Sequence, residues 1–198
     1  MEKEIKEIEA FGRINGYPII RERGAQVLVD LVKENKPKKI LEIGTAIGYS
    51  GSLMLLNSSA TLITLEINEE SALIARENFK KLGLENRVEV VVGDAKESIA
   101  KLTEKFDFIF LDGPKGQYIH YLDALLELLN KGGLLVADNV HYHGLVLKEG
   151  IPKKKHRTIV NNLRKYLQRV TSDDKLKTEV LPFADGIAIT RKELWLNY

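Results

Sequence analysis

With 198 residues, 44% of them apolar and 29% charged, the chain has the size and composition of one globular domain with a substantial core. It has no cysteine, which excludes disulfides, thiolate metal sites and cysteine nucleophiles. The opening MEKEIKEIEAFG is too charged for a secretory signal, no apolar run is long enough to span a membrane, and net charge is only +2, so a cytoplasmic enzyme or binding protein is expected.

Residues 1–36 read as an N-terminal helical cover, with a helix over about 21–35 (RERGAQVLVDLVKEN) closed by Pro37. KKILEI (38–43), TLITLE (61–66), VEVVVGD (88–94), FDFIFLD (106–112) and GLLVAD (133–138) are short and nearly continuously apolar, as parallel strands buried on both faces must be. Between them SALIARENFKKLGL (71–84) and IHYLDALLELLNKGG (119–133) have helical spacing, the second ending in a Gly-Gly stop. HRTIVNNLRKYLQRV (156–170) is helical. TEVLPF (178–183) and GIAITRK (186–192), linked by Ala184-Asp185, read as an antiparallel pair at a sheet edge. Alternating strands and helices without repeat or linker predict a single α/β domain over 1–198.

Ligands of open α/β sheets bind at the carboxyl ends of the strands. Here those ends carry Glu42 and Gly44, Glu66, Gly93 and Asp94, Asp112, and Asp138. One such acid is most simply a helix cap; five in succession point to a site. Gly44 and Gly48 give the first turn a G-x-x-x-G spacing that lets backbone approach a ligand. The G-x-G-x-x-G fingerprint of pyrophosphate binders is missing, which counts against a nucleotide-binding or dehydrogenase-like protein. A purely RNA-binding protein, in turn, has no need of acids at five strand ends. Glu66 is placed for ribose hydroxyls and Asp94 for an adenine amino group. A nucleoside without phosphate, joined to a charged amino-acid tail, describes S-adenosylmethionine.

LEIGTAIGYS, LITLEIN, VVGDA, FIFLDGPKGQY and LLVADNVHYHG together resemble the metal-dependent O-methyltransferases related to catechol and caffeoyl-CoA O-methyltransferases, as do PIIRERG and LPFADGIAITRK. The resemblance implies a Rossmann-like class I methyltransferase: a seven-stranded, mostly parallel sheet with an antiparallel last strand and helices on both faces. It implies cofactor contacts at Ile19, Glu42, Gly44, Ser50, Glu66, Gly93, Asp94 and Asp112, and often a homodimer. It assigns a divalent metal to Asp112, Asp138 and Asn139, an all-oxygen set suited to Mg²⁺. Asp138-Asn139 as a plain loop start is the bland alternative. Lys115 matches the lysine that the family uses near the acceptor hydroxyl, and a solvated loop lysine is its alternative. His141 and His143 are expected in loop or substrate-facing positions rather than on the metal. Tyr49, Tyr118 and Tyr142 wall the pocket or, more simply, pack. Trp195 is given a packing or subunit role.

Two acceptors stay open. The length, PIIRERG, DNVHYHG and LPFADGIAI resemble the bacterial branch that methylates 5-hydroxyuridine at the tRNA wobble position. Between Lys148 and Arg169 eight cations face one acid, Glu149, so about +7 lies in one stretch. Lys153, Lys154, Lys155 and Arg157 are its candidate contacts to anticodon-loop phosphates; a solvated helix face is the plain alternative. The other acceptor is a small catechol or caffeoyl-type phenol.

Overall fold

Each strand end sits where it does because of how two groups of elements form around apolar strands. The computed structural model describes residues 2–193, which divide after Lys101 into two compact units.

The first unit begins with α1 (Glu2–Ile14) and α2 (Glu22–Asn35), both amphipathic. Exposed i,i+4 pairs, Lys6–Glu2 and Arg13–Glu9, line the outer side of α1, while Ile8 and Gly12 turn inward. α2 stops at Lys36, whose left-handed backbone (φ 45°) lets its N–H reach Val32 O. Next come β1 (Lys39–Ile43), α3 (Tyr49–Leu56), β2 (Thr61–Glu66), α4 (Glu69–Lys81), β3 (Val88–Val92) and α5 (Ala95–Lys101). The strands lie in the order β3-β2-β1 and are parallel, with Ile43 beside Leu65 and Glu66 beside Val92. α4 is capped by Asn68, whose side chain accepts from Ser71 N. Phe79 of α4 and Met54 and Leu55 of α3 are fully buried in this unit's core.

The second unit holds β4 (Phe106–Leu111), α6 (Tyr118–Leu128), β5 (Leu129–Ala137), α7 (Arg157–Ser172), β6 (Leu176–Leu181) and β7 (Ile187–Lys192). Its strand order is β4-β5-β7-β6. β4 and β5 are parallel, whereas β7 runs antiparallel to both β5 and β6, as the terminal pair predicts. α7 packs Val160, Leu163, Tyr166 and Val170 inward and leaves its charges outside.

Two boundaries differ from expectation. The Gly-Gly pair does not stop the helix: α6 ends at Leu128, and Gly132 and Gly133 lie inside β5. The pairing with β4 slips there, since Leu129 faces Phe106 but Leu134 faces Phe108. The glycines permit that irregularity. Gly132 has φ 79°, and a Cβ on Gly133 would come within 2.9 Å of both Asp107 O and Asn130 O. The turn between β6 and β7 is also longer than two residues, running from Pro182 to Gly186 with Ala184, Asp185 and Gly186 all at positive φ. Trp195 lies outside the described residues.

Candidate active site

In the first unit the predicted cofactor residues gather at the carboxyl ends of β1, β2 and β3. The turn after β1 is drawn onto β2: Gly44 N and Thr45 N both donate to Leu65 O, at 2.9 and 3.2 Å. Gly44, Ala46 and Gly48 are all left-handed there (φ 100°, 45° and 80°). A Cβ on Gly48 would stand 3.0 Å from the Phe79 ring, so this glycine serves close packing as well as conformation. Glu66 braces the same turn, accepting Ala46 N at 2.8 Å on one oxygen and Asn68 N at 2.9 Å on the other. Gly93 N donates to Glu66 O. Exposed Asp94 accepts Lys96 N at 2.8 Å, tying down the first turn of α5. Ile19 is half-buried in the extended segment before α2, against the face of Gly12.

Glu42 and Ser50 are brought together, but inside the unit. Glu42 is wholly buried. It accepts Ser50 Oγ at 2.5 Å and Thr64 Oγ1 at 2.6 Å. Thr64 Oγ1 also lies 2.6 Å from Thr45 Oγ1. Since Thr64 gives its one proton to Glu42, Thr45 is the donor in that second bond. The chain Thr45–Thr64–Glu42–Ser50 thus links the glycine turn, β2, β1 and the start of α3. Sequence reading misses Thr45 and Thr64; the signal for them is a carboxylate in a buried strand, which needs donors nearby.

In the second unit, Leu111 and Ala137 are paired neighbours on β4 and β5, and Asp138 N donates to Leu111 O at 3.1 Å. The residues one step beyond, Asp112 and Asp138, are therefore set side by side. Lys115 Nζ donates to Asp112 Oδ1 at 2.6 Å, and the two side chains retain only 19% and 12% of their exposure, respectively. Asp138 is 3% exposed and accepts Asn139 N at 2.8 Å. Burial pushes the Asp112 carboxyl above the usual carboxylate range, with the Lys115 charge and hydrogen bond pulling back. Asp138 is pushed up to about 7, first by burial and then by the charge of Asp112, while the Asn139 N–H opposes. Two carboxylates out of water thus share one ammonium.

That donor set fits a hard divalent cation: two carboxylates with an adjacent amide oxygen, short of positive charge. Asn139 is held left-handed (φ 55°) as the chain turns away from β5. Among the described residues no group of three His, Cys, Asp or Glu is arranged to hold a metal, and the expected trio contains only two residues of those types. The two histidines turn elsewhere. His141 is buried against Gly186, and its N–H donates to Asp185 O at 2.9 Å. His143 is exposed, and its N–H donates to Asp185 Oδ2 at 2.9 Å. Tyr49 and Tyr118 are buried, and Tyr142 Oη is 3.3 Å from His156 Nδ1. Of the basic stretch, Lys153, Lys154, Lys155 and Arg157 are exposed. Arg164 instead donates to the carbonyls of Val146, Lys148 and Gly150, and Arg169 pairs with Asp173.

A glycine turn after the first strand, acids at successive strand ends and an antiparallel last strand define a Rossmann-like class I, S-adenosylmethionine-dependent methyltransferase. An O-methyltransferase from Bacillus cereus, solved in complex with SAH, has the same fold, with a TM-score of 0.84, 26% identity and coverage of 95% of this chain and 90% of that one. The chain belongs to the O-methyltransferase family, whose model matches residues 3–193. It is similar to caffeoyl-CoA O-methyltransferase 2 of Populus trichocarpa, 30% identical over 96% of this chain and 81% of that protein. It is similar also to catechol O-methyltransferase of Sus scrofa, 40% identical over 61% of this chain and 69% of that one.

The Glu42 network makes a stability prediction. Thr64→Val keeps the shape of the side chain and removes one donor from a buried carboxylate. It is expected to lower the unfolding free energy by about 1.5–3 kcal/mol, measured by urea denaturation. An unchanged midpoint would show that the carboxylate is held by other groups.

Proposed function

We propose that this enzyme moves a methyl group from S-adenosylmethionine to one of two neighbouring oxygens on an acceptor, with a divalent cation such as Mg²⁺ held by Asp112, Asp138 and Asn139. The observation that carries the reading is the buried pair Asp112 and Asp138 with Lys115 as its one ammonium. When bound, the metal would chelate both acceptor oxygens and lower the pKa of the reacting hydroxyl. The chain's own part is to hold and orient. Asp112 and Asp138, fixed at paired strand ends, supply the charge; Gly44, Glu66, Gly93 and Asp94 bracket the cofactor's nucleoside, with Ile19 beside it. Glu42 and Ser50 keep the first turn in shape. Lys115 is the side chain for the acceptor's proton. As an ammonium bonded to Asp112 it holds a hydroxyl oxygen by donation, and general-base work requires that it first lose its own proton. In-line placement of oxygen and methyl carbon supplies much of the acceleration.

For the acceptor we take 5-hydroxyuridine at the tRNA wobble position, methylated to 5-methoxyuridine. Its 5-hydroxyl and 4-carbonyl oxygens are neighbours, as chelation requires. Lys153, Lys154, Lys155 and Arg157 are exposed and follow the metal-bearing loop in sequence, which suits anticodon-loop phosphates. A small phenol is the second reading, favoured by the caffeoyl-CoA and catechol enzymes among the relatives. The family match runs through both units and supports one catalytic domain. Among the described residues no helix is long and apolar enough to cross a membrane, and we place the enzyme in the cytoplasm. We read it as a homodimer, for which exposed Phe11 and Ile14 of α1 offer apolar surface.

The deciding experiment is methyl transfer from radiolabelled S-adenosylmethionine to tRNA carrying 5-hydroxyuridine, with Mg²⁺ and with a chelator. Metal-dependent label in that nucleoside is expected; label only in a catechol or caffeoyl ester would replace the acceptor and keep the mechanism. Asp138→Ala is expected to abolish metal-dependent turnover while leaving the cofactor Kd within about threefold by titration calorimetry, since Glu66 and Asp94 remain. Loss of cofactor binding in a folded variant would contradict that division of labour. Reversing Lys153, Lys154 and Lys155 to Glu is expected to raise KM for tRNA more than tenfold and leave KM for a catechol unchanged, since only a polyanion gathers counterions for those lysines to release. Equal effects on both acceptors would remove the argument from the basic segment.

A further inference from the structure

Tyr118, the first residue of α6, is wholly buried directly behind the two acids. Its Oη lies 3.0 Å from Leu111 O and 3.1 Å from Asp138 O. These are the backbone carbonyls next to Asp112 and of Asp138 itself, so one hydroxyl bridges the ends of β4 and β5. The ring in turn seats Lys115, whose Nζ stands over it, 5.8 Å from its centroid. A single side chain therefore touches the supports of Asp112, Asp138 and Lys115 together. Nothing in the packing alone demands a hydroxyl here. The neighbouring Tyr166, whose ring meets that of Tyr118 edge-on at 5.7 Å, buries its own hydroxyl without a partner.

We infer that Tyr118 is a positioning residue for the metal: its hydroxyl sets the spacing of the strand ends from which Asp112 and Asp138 project. The inference rests on the metal reading given above and adds a residue that touches neither metal nor acceptor. Parallel strands that end in register are held by the ladder only up to their last pair, here Leu111 and Ala137. One backbone bond follows it, from Asp138 N to Leu111 O, and the Tyr118 hydroxyl adds a side-chain tie between the carbonyls of Leu111 and Asp138. A chelate of two carboxylates depends on sub-ångström spacing, so a tie at the backbone acts on affinity without contributing a ligand.

The matched pair Tyr118→Phe and Tyr166→Phe tests this in the full chain. Each removes one buried hydroxyl and keeps the ring, so Lys115 keeps its seat and both variants are expected to fold. Binding of Mn²⁺, followed by the electron paramagnetic resonance of the free ion with S-adenosylhomocysteine present, is expected to weaken about tenfold in Tyr118→Phe. In Tyr166→Phe it should stay within twofold of the unsubstituted protein. Cofactor Kd should not move in either. Equal Mn²⁺ affinity in all three proteins, with only a lower melting temperature for Tyr118→Phe, would reduce the residue to packing and overturn the inference alone. A matching loss in Tyr166→Phe would also overturn it, since the effect would then belong to the aromatic cluster. An unsubstituted protein that binds no Mn²⁺ would sink the metal reading itself, and this inference with it.

Discussion

A carboxylate taken out of water must find donors or positive charge, and the arrangement of this protein follows from how that requirement is met at each strand end. Glu42 meets it internally, through the hydroxyls of Ser50 and Thr64. Half-buried Glu66 meets it with the backbone N–H groups of Ala46 and Asn68, whereas Asp94 stays exposed to water and bonds the start of α5. Asp112 and Asp138 do not meet it to the same degree. One lysine and one backbone N–H serve two buried acids that also repel each other. The imbalance is local and costs stability, which proteins tolerate at functional sites.

The supports around that pair fall into two kinds. The β4–β5 ladder fixes direction, because Leu111 and Ala137 are paired and whatever follows them projects together. The turn between β6 and β7 fixes the loop that follows Asn139. Asp185 there accepts from both His141 and His143 backbone N–H groups, and Gly186 leaves room for the His141 ring. Three left-handed residues, Asn139, Tyr142 and His143, are needed to bring the chain round to those bonds. Rigid ladder and left-handed loop meet at Asp138, so this buried acid is held from both sides.

Much of this is legible in the sequence, for identifiable reasons. Parallel strands buried on both faces announce themselves as short apolar runs, and β1, β2, β4 and β5 stand out that way; β3 is found by the same signal, but it is an edge strand with only Val90 buried. Acids closing those runs mark the candidate site because few other reasons put charge there. The α6–β5 boundary is misread because Gly132-Gly133 is equally good as a helix stop and as a bulge, and only pairing with β4 decides between them. α3 escapes notice because it is buried nearly all round and shows no polar face. The roles of Thr64 and Tyr118 depend on which carbonyl or carboxylate lies across a strand, which no spacing within one chain segment reveals. Ser50 is marked as a cofactor contact by the family resemblance, and the bond of its hydroxyl to Glu42 is not visible in the sequence.

The choice of acceptor belongs to a different layer of the molecule. The metal we propose at Asp112, Asp138 and Asn139 would read two adjacent oxygens and little else, and a catechol and a 5-hydroxyuracil would present it with nearly the same face. Discrimination must therefore come from side chains outside the ligand set. Two cations of the basic stretch are already engaged within the unit, Arg164 on loop carbonyls and Arg169 with Asp173. What remains exposed is dominated by lysines, whose compact, strongly hydrated charge recognises phosphate through field more than through fixed geometry. Such a surface adds nothing to the binding of a neutral phenol and a salt-sensitive increment to the binding of RNA. On the proposed reading the buried carboxylates carry the chemistry, and the solvated lysines carry the preference for RNA over a phenol.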